Sequence, residues 1–125
     1  MYATNNAYAN AGNAYKSNEV MTASKKKLVI MLYDGAAKNL KLAKMAINEG
    51  DIEKTNSLII KAQDILAELM STINFDHGGE IAENLMSLYR YMYERTVRAN
   101  IDKDKSVLDE VISFLEELSQ VWSRI

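Results

Sequence analysis

The sequence predicts an all-α protein, an antiparallel up-and-down four-helix bundle with a mobile or short-helical N-terminal arm. The 125 residues contain no proline, so long stretches of backbone can hydrogen bond without interruption. Apolar residues recur at spacings of three and four in four segments of roughly 20 to 25 residues, and no segment alternates with the period of a strand. The turns between these segments are short, which makes neighbouring helices antiparallel.

Composition excludes several classes of protein. There is no cysteine, so disulfides, thiol nucleophiles and cysteine metal sites are absent. The net charge of −2 does not suit a nucleic-acid partner, because phosphate contacts need clustered cations. No run approaches the roughly 18 apolar residues of a membrane span. We therefore expect a cytoplasmic protein without membrane insertion.

Charge is unevenly distributed along the chain. Residues 24–49 carry six lysines against two acids, whereas residues 102–125 carry six acids against three basic residues. Oppositely charged segments favour packing against each other, and a basic ligand surface is the less favoured alternative. The first and last helices are therefore predicted to be neighbours.

Residues 1–23 differ in composition from the rest and are predicted to form the N-terminal arm, followed by one domain over residues 24–125. The arm is rich in Asn and Ala, and its large groups include Tyr15, Val20 and Met21. Such groups favour leaving water, so the arm is expected to lie in a groove of its own domain. A disordered tail with incidental tyrosines is the alternative.

The first helix is predicted from Ser24, an N-cap residue, to Glu49, with Gly50 as the left-handed stop. Gly35 in its interior costs about 1 kcal/mol relative to alanine. This cost predicts close approach of a neighbouring backbone. The inward stripe is predicted as Leu28, Leu32, Ala36, Ala43 and Ile47.

The second helix is predicted from a cap at Asp51 to about Asn74, and its apolar residues point in two directions. One stripe consists of Leu58, Ala62, Ile65 and Leu69, and the remainder are Ile59, Ile60, Leu66, Met70 and Ile73. A helix with two apolar sides must meet two partners. Four residues of the second direction, Ile59, Ile60, Leu66 and Met70, are therefore predicted to line a groove.

The third and fourth helices follow the same pattern. A turn over residues 75–79 is predicted to precede a third helix from about Glu80 to Asn100, with Asp104 as the cap of the fourth. The inward residues are predicted as Ile81, Leu85, Leu88, Met92 and Val97 in the third helix and Val107, Leu108, Val111, Leu115, Leu118 and Trp122 in the fourth. Tyr89 shares a side with Tyr93, while Tyr91 points elsewhere.

Residues that could carry chemistry are few. The single histidine, His77, lies in the turn without a nucleophile or an orienting partner nearby in sequence. The Glu-x-x-His motif of di-iron bundles is absent. Gly78 and Gly79 belong to no phosphate-binding motif, and Glu80 and Glu83 would repel phosphate. We predict no catalytic residues, no cofactor and no metal, and hence no enzyme.

Specific strings resemble the flagellar secretion chaperones of the FliS family. The strings are Thr22-Ala23-Ser24, Leu28, Met31-Leu32-Tyr33-Asp34-Gly35-Ala36, Glu49-Gly50-Asp51, Lys61-Ala62-Gln63-Asp64-Ile65, Gly78-Gly79-Glu80-Ile81-Ala82, Asn84-Leu85, Leu88-Tyr89, Tyr91-Met92, Arg95 and Ala99-Asn100. The resemblance spans residues 15–122. The combination of strings is specific, although no single string is.

The resemblance implies a cytoplasmic export chaperone that binds the disordered C-terminal segment of flagellin in apolar grooves. It implies prevention of premature polymerisation, assistance to type III flagellar export and a flagellar export gate component as a second partner. An anti-sigma factor is a further candidate partner. The alternative is a structural bundle that uses its extra apolar face for homodimerisation.

The resemblance and the helical spacing together give the candidate flagellin-binding residues. These are Tyr15, Val20, Met21, Ile59, Ile60, Leu66, Met70, Tyr89 and Tyr91. Tyr15 matches the N-terminal tyrosine of the family. The chain departs from the family at Lys25-Lys26, where members often have Pro-Glu, and at Arg90, where an acid is frequent. Both departures make their surroundings more basic.

Overall fold

The computed structural model consists of four helices. It describes the backbone of residues 14–125 and the side chains of residues 25–125 other than Phe75 and His77. The helices are α1 (Ala14–Asn48), α2 (Ile52–Ser71), α3 (Phe75–Asp102) and α4 (Lys105–Ser123). No strand occurs within residues 14–125. The predicted all-α, four-helix fold class is confirmed.

The helices form a ring in which α1 and α3 each pack against both α2 and α4. Lys41 pairs with Glu116 and Lys44 pairs with Asp109, so residue numbers rise along α1 as they fall along α4. The two helices are therefore antiparallel neighbours. These ion pairs confirm that the lysine-rich first helix packs against the acidic last helix.

The predicted start of the first helix at Ser24 is wrong, because α1 begins at Ala14. Residues 14–23 contain neither glycine nor proline, so nothing in them stops a helix from continuing. Lys25 and its two lysine neighbours consequently lie inside the helix and not at its positive end. Residues 1–13 lie outside the described part of the chain, and the division between arm and domain stays a prediction.

The predicted end of α1 and the caps of α2 and α4 are confirmed. Gly50 adopts the left-handed conformation with φ of 73°. The side chain of Asp51 accepts a hydrogen bond from the Lys54 amide, and that of Asp104 accepts one from the Ser106 amide. The hydroxyl of Ser106 also donates to Asp104, and these bonds lower the pKa of the Asp104 carboxyl.

The connection between α2 and α3 differs from the prediction. α2 ends at Ser71, short of Asn74, and Asn74 instead caps α3 by accepting a hydrogen bond from the Asp76 amide. One helical turn forms before Gly79, whose φ of 55° and ψ of −131° interrupt the helix. A Cβ at Gly78 would lie 2.5 Å from Cβ of Ala82, so only glycine fits there. The short turn is thereby folded tightly against the main part of α3.

The predicted close approach at Gly35 is also wrong. A Cβ built there would find Cδ1 of Ile65 at 3.6 Å, an ordinary van der Waals contact. The neighbouring helix leaves room for a methyl group. The packing of this chain therefore does not require glycine at this position.

The buried face of α1 is only partly the one predicted. Ala36 and Ala43 are buried as expected, and Leu32 and Ile47 are half-buried against the core. Leu28 is 46% exposed, so its inward placement is wrong. The buried face is rotated toward the remaining buried apolar residues among the described side chains of α1, which are Val29, Tyr33, Ala37, Leu40 and Ala46.

The buried face of α3 is rotated in the same way. Met92 is buried and Leu85 and Leu88 are half-buried, but Ile81 is 77% exposed and Val97 is 39% exposed. The inward prediction for the last two is wrong, because Tyr89, Thr96 and Ala99 occupy the core instead. In α4 the predicted stripe is confirmed, with Leu118 and Trp122 half-buried and the other four buried.

Both apolar directions of α2 contribute to the core, although Ile60 of the second direction is exposed. Ile59 and Leu66 are fully buried together with Ala62 and Leu69. α2 packs against α1 on one side and α3 on the other, so a second apolar direction meets a helix of the same bundle. The prediction that Ile59 and Leu66 line an open groove is wrong.

Two buried tyrosines join α1 to α3 across the centre of the bundle. The hydroxyls of Tyr33 and Tyr89 share a hydrogen bond of 2.6 Å, and both side chains are almost completely buried. Trp122 of α4 packs edge-on against Tyr33, with ring centroids 6.3 Å apart. Each buried phenol is the polar partner of the other, which avoids an unsatisfied group in the core.

We expect the phenols of Tyr33 and Tyr89 to stay protonated above pH 10 while the protein is folded. Burial raises the pKa of both groups, and the bond from Tyr33 raises that of Tyr89 further. Their pKa in the unfolded chain is about 10. Stability from this pair is therefore fully present below pH 10 and is lost as pH rises above it.

Ultraviolet titration of phenolate, with circular dichroism recorded in parallel, measures this effect. Tyr33 and Tyr89 should ionise only as the helices unfold, and the double variant Tyr33→Phe/Tyr89→Phe should lack this late step. Ionisation of all seven tyrosines in one step near pH 10 with the helices intact would contradict the assignment.

Candidate functional site

An open apolar groove runs between α3 and α4, and we call it the α3–α4 groove. Its volume is about 430 Å³. The apolar lining consists of Leu88, Phe114, Leu118 and Val121, and the polar lining of Glu117, Gln120 and Arg124. Val121 is 49% exposed. An apolar floor with charged groups on its α4 side suits an amphipathic helix.

A cluster of three polar side chains, Tyr91, Arg95 and Glu110, lies beside the α3–α4 groove. The hydroxyl of Tyr91 donates to Glu110 over 2.6 Å, and Nε of Arg95 donates to the same carboxylate over 2.9 Å. Both bonds lower the pKa of Glu110, the one from Tyr91 most. The Tyr91 ring packs edge-on against Phe114, with centroids 6.2 Å apart. Phe114, which lines the groove, is therefore packed against a hydrogen-bonded aromatic ring.

A smaller cavity, which we call the end cavity, lies where the α2–α3 turn meets the other helices. Its volume is about 220 Å³. The apolar lining is made mainly by Val29, Ile73, Leu85, Tyr89 and Trp122. Ile81 borders the same cavity and is the second most exposed large apolar residue of the described side chains. The end cavity can accept one apolar side chain of a partner.

A third apolar surface lies on the outside of α1. Its members follow the three–four spacing with which two helices pack. We call this surface the α1 seam, and it consists of Leu28, Met31, Gly35, Lys38, Leu42 and Met45. The four large apolar side chains among them are all exposed.

The structure separates the sequence-predicted site residues into four groups. Ile59, Leu66 and Tyr89 are buried in the core, although Tyr89 also borders the end cavity. Met70 is half-buried, whereas Ile60 and Tyr91 are exposed. α1 contains Tyr15, Val20 and Met21, but the structure does not describe their side chains. Their contact with a client stays a prediction.

The α3–α4 groove was missed by sequence reasoning. Phe114 and Val121 are large apolar residues seven positions apart, and both lie off the inward stripe predicted for the fourth helix. This spacing places them on one face. Apolar residues off the inward stripe are the signal that led to the groove prediction on α2. The same signal is present in α4, where it marks a surface that is open in the structure.

Two classes of site receive no support from the described residues. Among residues 25–125, apart from Phe75 and His77, no three acidic, histidine or cysteine side chains are grouped to hold a metal ion. Along the part of the chain that the structure describes, no helix is long and apolar enough to cross a membrane.

Comparison with known proteins gives a consistent family. The family model described as Flagellar protein FliS matches residues 8–125. The flagellar secretion chaperone FliS of Bacillus subtilis is 38% identical over 94% of this chain and 87% of its own length. The proteins of the same name from Vibrio cholerae and Salmonella typhimurium are 35% and 36% identical, over 90% and 85% of this chain and 85% and 79% of their own lengths.

These relatives are named as chaperones, and their family is not one of enzymes. The match extends over all four helices, including both sides of the α3–α4 groove. The chain belongs to the FliS family of flagellar secretion chaperones.

Proposed function

We propose that this chaperone binds the disordered C-terminal segment of flagellin and that the α3–α4 groove is a principal contact. The observation that carries the proposal is the open apolar floor of Leu88, Phe114 and Val121 in a protein of this family. A disordered segment can fold into an amphipathic helix as its apolar face enters such a groove. The segment is then masked from other flagellin copies, which prevents premature polymerisation.

The charges beside the floor support an oriented client helix. Glu117 of α4 and Arg124, the C-cap residue of α4, lie seven positions apart and both line the groove. Opposite charges two helical turns apart favour one direction of a client helix that carries complementary charges. The end cavity offers a place for one apolar anchor from an adjoining part of the client.

The proposed function determines where in the cell the chaperone acts and which second partner it needs. A client that polymerises outside the cell must be masked before it leaves, so we place the chaperone in the cytoplasm. Assistance to type III flagellar export requires a flagellar export gate component as a second partner. The anti-sigma factor stays a prediction, since no described surface selects it.

Titration calorimetry with a C-terminal fragment of the cognate flagellin tests the proposal. We expect saturable binding with a large negative heat-capacity change, because folding on binding buries apolar surface. No heat at concentrations of tens of micromolar would contradict it. A stable homodimer that flagellin does not dissociate would favour the structural alternative.

Val121→Asp is expected to weaken binding of the flagellin fragment at least tenfold, or about 1.4 kcal/mol. The carboxylate would be desolvated against the apolar face of the client. Val121 is half exposed in the free protein. An acid in the last turn of α4 costs about 0.3–1 kcal/mol, so the unfolding temperature should fall only slightly. Calorimetry and thermal unfolding measure the two effects.

Ile52→Asp is the matched control. Ile52 is more exposed than Val121 and occupies the first turn of α2, where an acid is compatible with the helix dipole. It lies outside the lining of the α3–α4 groove. Equal losses of affinity in the two variants would show that the groove is not the principal contact.

A further inference from the structure

Gly35 is a glycine that the fold does not need. It lies in the interior of α1, where glycine destabilises a helix relative to alanine. Its φ is not in the left-handed region, and an added Cβ would meet only Cδ1 of Ile65 at an ordinary 3.6 Å. An alanine would therefore stabilise the free protein. Some other contact must account for the absence of a side chain.

Gly35 occupies a central position of the α1 seam. The seam positions are separated by three, four, three, four and three residues, the spacing of a helix that packs lengthwise against another helix. Met31 is 60% exposed and Met45 is 56% exposed. The described part of the chain thus carries a helix-packing face with no helix on it. A small residue in the middle of such a face lets a second helix backbone approach closely.

The charge of the seam selects the kind of helix that fits. Lys38 is itself a seam position, and Lys27 lies along the edge of the seam. Both lysines are exposed, and neither forms a salt bridge with the described residues. Asp34 lies along the same edge, but its carboxylate accepts a hydrogen bond from the Ser119 hydroxyl, and the two lysines leave the seam with a net positive charge. A second copy of this chain would bring its own lysine-rich face against this one, and like charges repel. An amphipathic helix with acidic residues beside its apolar stripe is complementary.

We propose that the α1 seam docks an acidic amphipathic helix of the client, which crosses closest to α1 at Gly35. This inference rests on the proposed function. It adds a second contact on α1, a helix that does not line the α3–α4 groove. It also explains why glycine occupies a position where alanine would improve the free protein.

Gly35→Ala tests the inference because it moves stability and binding in opposite directions. We expect the unfolding temperature to rise by about 4 °C and the affinity for the C-terminal flagellin fragment to fall at least fivefold. Ser87→Ala, at an exposed position in α3, is the matched control and should leave the affinity unchanged. Lys38→Glu should weaken binding at least tenfold at low salt and less at high salt.

The outcomes separate the inference from the proposed function. If the unaltered protein binds the fragment and Gly35→Ala binds it equally well, the inference is wrong and the proposed function stands. If the unaltered protein does not bind, both fail. If Gly35→Ala converts a dimer to a monomer in light scattering, a second copy occupies the seam and the inference is overturned.

Discussion

Leu66→Ala is expected to lower the free energy of unfolding by about 2–5 kcal/mol. Leu66 is fully buried between the helices, so truncation removes apolar contacts and leaves a cavity in the core. Urea unfolding monitored by circular dichroism measures the loss, and the midpoint should fall. The effect is a large fraction of the stability of a domain of this size.

Ile60→Ala is the matched control for Leu66→Ala. Ile60 belongs to the same helix and to the same predicted second direction, but it is 49% exposed. Its truncation should change stability by less than about 1 kcal/mol, because the side chain remains largely hydrated in the folded state. Similar losses at the two positions would contradict the burial pattern of α2. This pair thus measures directly which apolar residues of α2 belong to the core.

Tyr33→Phe is expected to cost about 1–3 kcal/mol of stability, and Tyr89→Phe a similar amount. Each single variant leaves the other phenol buried without its hydrogen-bond partner. The double variant removes both hydroxyls at nearly constant shape, so its loss should be smaller than the sum of the two single losses. Thermal and urea unfolding of the four proteins gives the coupling energy.

Tyr91→Phe serves as the control for the tyrosine cycle. Its hydroxyl bonds to Glu110 at the surface, where water can replace the lost partner. A small change in stability is expected. Strictly additive losses for Tyr33→Phe and Tyr89→Phe would show that the two hydroxyls do not depend on each other.

Helix ends that are defined by a capping side chain or by a left-handed glycine were predictable. The start of α1 was not, because it depends on the absence of a residue that stops the helix. Asp51 and Asp104 accept hydrogen bonds from amides of their own helices, and Gly50 supplies a backbone conformation that other residues avoid. Ser24 has the same capping ability, yet the helix runs through it. A cap stabilises a helix start but does not prevent the preceding residues from extending it.

The candidate site was only partly predictable, because the spacing of apolar residues shows which of them share a face of one helix. It does not show which of these faces a neighbouring helix covers. Ile59 and Ile60 are adjacent in sequence, yet one is fully buried and the other half exposed. The number and placement of neighbouring helices decide which apolar direction remains open. Tyr89 shows the same limit, since it is a candidate flagellin-binding residue by sequence, yet it is buried and its phenol bonds to Tyr33.

The sequence by itself determined the all-α class, the glycine stop after α1, the caps of α2 and α4, the pairing of a basic first helix with an acidic last helix, and the family. These properties depend on local backbone chemistry, on charge and on residue strings that can be read in order. The tertiary structure decided that the second apolar direction of α2 is core and that the open groove lies between α3 and α4. Burial is a property of the assembled helices, because only their mutual rotation determines which apolar faces find a partner.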